Sequence, residues 1–108
     1  MTAWLFAFVV TCAIELVIVS RLARGRTRAG VVLAAQLATH PVVWLAMSAL
    51  PGSQLVRLAA VELWAVAVEA AIYARWLRLP RRDAFMVAAA ANAGSLLVVA
   101  AAAALVGR

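Results

Sequence analysis

The chain has 108 residues, of which 69% are hydrophobic, and its mean hydropathy is +1.06. A soluble domain is usually roughly 45–50% apolar, and four spans of ~20 residues with short turns would use this length completely. The net charge of +6 arises from ten arginines and no lysine against Glu15, Glu62, Glu69 and Asp83. Those arginines cluster at the ends of apolar runs, so membrane topology and lipid headgroups account for them and no nucleic-acid partner is expected.

The first apolar run, residues 3–20, is bounded by Trp4 and Arg21 and carries one charge, Glu15. Thr11 and Cys12 lie three or four residues before Glu15 and share its helical face. Cys12 is the sole cysteine, which excludes an internal disulfide and reads as a small buried hydrophobe. With no basic residue ahead of it and arginines behind, the run reads as a retained helix rather than a cleaved leader. A turn with Arg21, Arg24, Arg26 and Arg28 follows, and Thr27 is the expected N-cap of the second helix.

The second run covers residues 31–50. Gln36, His40 and Trp44 recur every four residues on one face with Thr39 beside them, and Pro41 predicts a kink because it lacks a donor and crowds the carbonyl of Leu37. Pro51-Gly52-Ser53 ends the helix and offers Ser53 as the next N-cap.

The third run, residues 58–77, holds Glu62 and Glu69 seven residues apart, two helical turns, with Tyr73 one turn farther on the same side and Trp76 extending the stripe. A charged side chain at the bilayer centre costs ~2.5–3.5 kcal/mol on insertion scales, so such groups face a bundle interior or water. The turn that follows has Arg75, Arg78, Arg81 and Arg82 around Pro80, and Asp83 reads as the N-cap of the last run, residues 84–106. Asn92 and Ser95 are the polar side chains of that alanine-rich run, and Gly94 favours close helix packing.

These features predict an all-α polytopic membrane protein, one transmembrane domain over residues 1–108, built as an up-and-down bundle of four helices. The two basic turns hold eight arginines and the opposite side two, Arg57 and Arg108, so both basic turns are expected in the cytoplasm and both termini outside a bacterial-type plasma membrane. Counted from the basic ends, Thr11, His40, Glu69 and Asn92 fall in a middle layer. Glu15, Gln36 and Tyr73 fall in a shallower one, while Glu62 stands near the outer side with Ser95 between it and the middle layer.

Two functions fit that stack. Titratable groups in series, Glu62, then Glu69 with His40, then Glu15 with Tyr73, would serve proton- or cation-coupled transport. Alternatively the polar groups only fix helix packing in a membrane partner or assembly subunit. The partners expected are the lipid bilayer and a second copy or a larger membrane complex. No cofactor, metal or catalytic residue is assigned: His40 is the single histidine, the chain lacks a His-Glu-x-x-His motif and a Cys pair, and Ser95 with His40 shows no oxyanion-forming turn.

Thr39-His40-Pro41, Glu62-x6-Glu69-x3-Tyr73 and Asn92-x2-Ser95 together resemble a pattern in small four-span bacterial membrane proteins of unknown activity. That family has asparagine where His40 stands. The resemblance implies an integral membrane protein and supplies no substrate.

Overall fold

The computed structural model describes the backbone of residues 2–26 and 28–106, and the side chains of residues 5–26, 28–98, 100–101 and 104–105. Four helices and no strand occur among the described residues: α1 (Thr2–Leu22), α2 (Ala29–Ala49), α3 (Gln54–Trp76) and α4 (Arg81–Val106). Short turns force consecutive helices to run antiparallel. α1 packs on α2 and α4, and α3 packs on α2 and α4, so the four make a closed square. Its long dimension is 40 Å.

Local chemistry sets the helix ends. Ser53 caps α3, its Oγ accepting from Val56 N at 3.2 Å. Gly52 takes a positive φ of 103° in the turn before it. At the other end of α3 the chain leaves the helix through Arg78 at φ 56°, a left-handed residue of the kind that terminates helices. α4 then begins three residues earlier than the sequence predicts, at Arg81, and Ala84 N already donates to Pro80 O. Asp83 therefore sits in the first turn, where a carboxylate still suits the helix dipole. The expected N-cap Thr27 lies outside the described residues, and Arg28 occupies the cap of α2 without a side-chain cap bond. α2 is continuous through Pro41.

The core has two parts. Near the arginine end Val19, Val32, Tyr73, Leu77, Ala84 and Ala88 form a tight apolar cluster. α4 comes close to α1 here because Gly94 leaves space that the Ile18 side chain fills. Above that cluster the bundle interior turns polar: Glu15, Gln36, Thr39 and Glu69 are each no more than 2% exposed. The outer surface is the reverse, with Phe6, Leu45, Leu63 and Leu97 at least 68% exposed. Among the described residues two helices are long and apolar enough to cross a membrane by length and composition, over Leu5–Leu22 and Ala29–Ala49.

Candidate functional site

The helix ends fix one level in the bundle. Glu15 lies seven residues before Leu22, Gln36 seven after Ala29, and Glu69 seven before Trp76. In antiparallel helices that spacing brings all three side chains to the same height, and they meet in the middle.

Glu69 is the hub. Its Oε1 accepts from Gln36 Nε2 and from Asn92 Nδ2, each at 3.2 Å. Its Oε2 faces Thr39 Oγ1, also at 3.2 Å. The donors are held in place by their own helices: Asn92 Nδ2 also donates to Ala88 O at 2.8 Å, and Thr39 Oγ1 to Ala35 O at 2.9 Å. All three are neutral, so a carboxylate here is solvated by dipoles drawn from two neighbouring helices and not by a cation.

Glu15 comes in from α1 and lies beside Glu69 and Gln36. Its Oε1 is buried with no hydrogen-bond partner among the described residues, and the same holds for Tyr73 Oη. Tyr73 is fully buried one turn nearer the arginine end, beside both glutamates. A buried polar atom without a partner costs about 1–3 kcal/mol. Two such atoms flank the Glu69 carboxyl.

A cavity of about 380 Å3 leads away from this cluster toward the end with fewer arginines. Its floor is Glu15, Gln36 and Glu69, its middle Thr11, His40, Asn92 and Ser95, and its mouth Met47, Gln54 and Glu62. His40 is half-buried on the wall, edge-to-face with Phe8 at 5.2 Å and tilted against Trp44 at 6.3 Å. Ser95 Oγ turns back to its own helix and donates to Asn92 O at 3.1 Å. Glu62 is partly exposed, two turns above Glu69 on the same face.

Of the nine polar residues singled out in the sequence, eight line this cavity and the ninth, Tyr73, lies beneath its floor. Their layering differs from the expected one: Glu15 and Gln36 are level with Glu69, not below it. Gln54 at the mouth is an addition, readable from the i, i+4, i+8 series Gln54, Leu58, Glu62. Among the described residues no group of three His, Cys, Asp or Glu side chains is placed to hold a metal ion.

No family model, curated protein or solved structure matches the chain. The functional reading therefore rests on this geometry.

Proposed function

We propose that the chain is a four-span integral membrane protein in which the Glu69–Glu15 pair holds a proton or a small cation, as part of a proton- or cation-coupled transport pathway. The observation that carries this reading is the cavity, which joins Glu62 at its mouth to a floor of two buried glutamates with a spare carboxyl oxygen. A bundle with its polar groups inside and its large apolar groups outside suits lipid on every side, so α3 and α4 are read as spans with α1 and α2. The arginine split orients both basic turns to the cytoplasm and the cavity mouth to the outside of a bacterial-type plasma membrane.

The donor count around Glu69 suits a group that takes up and releases a proton. Thr39 has one hydroxyl proton and two acceptors in reach. Given to Glu69 Oε2, it helps to solvate a carboxylate. Given to Ala35 O, it leaves Thr39 Oγ1 to accept from a proton on Oε2. Both states are served without moving a side chain. The apolar cluster around Tyr73 and Leu77 closes the floor toward the arginine end, so passage requires that cluster to part.

A second reading, a membrane assembly subunit with a structural polar network, is favoured by the three donors already on Glu69. Glu69→Gln separates the two. It keeps shape and much of the hydrogen bonding but cannot titrate. In proteoliposomes loaded with a pH-sensitive dye, the wild type should dissipate an imposed proton or cation gradient, and Glu69→Gln should not, with abundance and thermal stability nearly unchanged. A fully active Glu69→Gln variant, or a wild type that moves neither, overturns the transport reading.

A further inference from the structure

A second polar pocket lies at the opposite end, between the two arginine turns. It encloses about 380 Å3 and is lined by Gly25, Arg26, Arg28, Trp76, Leu77 and Arg78. We infer that this pocket is a binding site for an anionic phosphate group, such as the headgroup of an acidic phospholipid.

The turns are joined so as to present their cations together. Arg26 Nη1 donates to Arg78 O at 2.6 Å, tying the α1–α2 turn to the α3–α4 turn across 52 residues of sequence. That bond uses one of five guanidinium donors and leaves the planar fork suited to a phosphate's oxygens. Gly25 at φ 73° and Arg78 at φ 56° bend the backbone on either side of the bond, which places Arg28 and Arg78 on the same pocket. None of the chain's four carboxylates lines it. Three arginines lining one pocket concentrate positive charge there, which an anion offsets.

The surroundings specify where the phosphate comes from. Trp76, on the pocket wall, is 54% exposed, and Arg75 stacks over its ring at 5.8 Å. Amphipathic rings of this kind sit at headgroup level, and basic pockets between helices at a membrane face hold lipid phosphates. The α2 amino terminus opens beside the pocket, its Arg28 cap contributing no side-chain bond, and its dipole adds to the attraction for an anion.

The test measures lipid retained by the intact chain after mild detergent extraction from vesicles of equal phosphatidylglycerol and phosphatidylcholine. The wild type should retain phosphatidylglycerol in preference, and Arg28→Gln should lower that preference about fivefold, one arginine's share of headgroup attraction. Arg82→Gln, the same charge removed outside the pocket, should leave it unchanged. Among the described residues the bond between the turns is made by Arg26 and Arg78 and not by Arg28, so circular dichroism should show the fold intact. A second arm adds inorganic phosphate to lipid-free protein in detergent and follows the melting temperature. A rise in the wild type that Arg28→Gln abolishes, without lipid preference, assigns the site to free phosphate. An equal loss in Arg28→Gln and Arg82→Gln, or no lipid preference and no phosphate effect, overturns the site.

Discussion

At the scale of single residues, Asn92 and Gln36 do one job from two helices. Both amides donate to Glu69 Oε1, so removing either leaves the oxygen with one donor and removing both leaves it with none. Asn92→Ala is expected to lower stability by about 1–2 kcal/mol, near the upper end for hydrogen bonds between membrane helices. Ser95→Ala should cost much less, since among the described residues Ser95 Oγ bonds its own helix, at Asn92 O. The Gln36→Ala and Asn92→Ala pair should deviate from additivity by about 0.5 kcal/mol or more, as expected of neighbours that share a partner. Melting of the four variants in one detergent checks this, and strict additivity would mean the two amides do not share Glu69.

At the scale of helices, close approach matters more than capping. Any side chain at Gly94 meets the tip of Ile18, a flexible end that can swing away from a methyl group but not from a longer chain. Gly94→Ala should therefore be mild, while Gly94→Leu should cost about 1–3 kcal/mol by overpacking the α1–α4 seam. Ile18→Ala should restore part of that loss, measured as recovery of melting temperature in the double variant. The sequence made the four helices and the cap at Ser53 legible, because apolar runs and Pro-Gly-Ser punctuation leave few alternatives. It did not make the depth of each polar group legible. α1 runs two residues past its expected end and α2 begins two residues before its expected start, and this moves Glu15 and Gln36 up to the level of Glu69. His40 was expected beside Glu69 on shared depth, yet its ring is set by Phe8 and Trp44 on the cavity wall. The Trp44 contact follows the i, i+4 spacing along α2, whereas the Phe8 contact comes across from α1 and leaves no mark in the spacing of the sequence.

At the scale of the molecule, the polar interior is asymmetric along the bundle axis. From Met47 and Glu62 down to Glu69 polar side chains line the cavity among apolar walls, and beyond Glu69 the helices close on Val19, Val32, Leu77 and Ala88. The arginine turns stand past that closure. On the four-span reading, then, water reaches Glu69 from the outside alone, and the apolar cluster is the barrier that separates the two solutions. This predicts a gradient of accessibility that neither a solid packing core nor an open pore would give. In a Cys12→Ser background, single cysteines at Met47, Ser95 and Val87 sample the mouth, the wall and the barrier. An impermeant thiol reagent applied to intact cells should label Met47→Cys fast and Ser95→Cys more slowly. Val87→Cys should stay unlabelled, and Arg24→Cys should react only after the cells are opened. Fast labelling at Val87→Cys would mean a continuous pore. Labelling of Arg24→Cys in intact cells, with Met47→Cys protected, would reverse the orientation and put the cavity mouth in the cytoplasm.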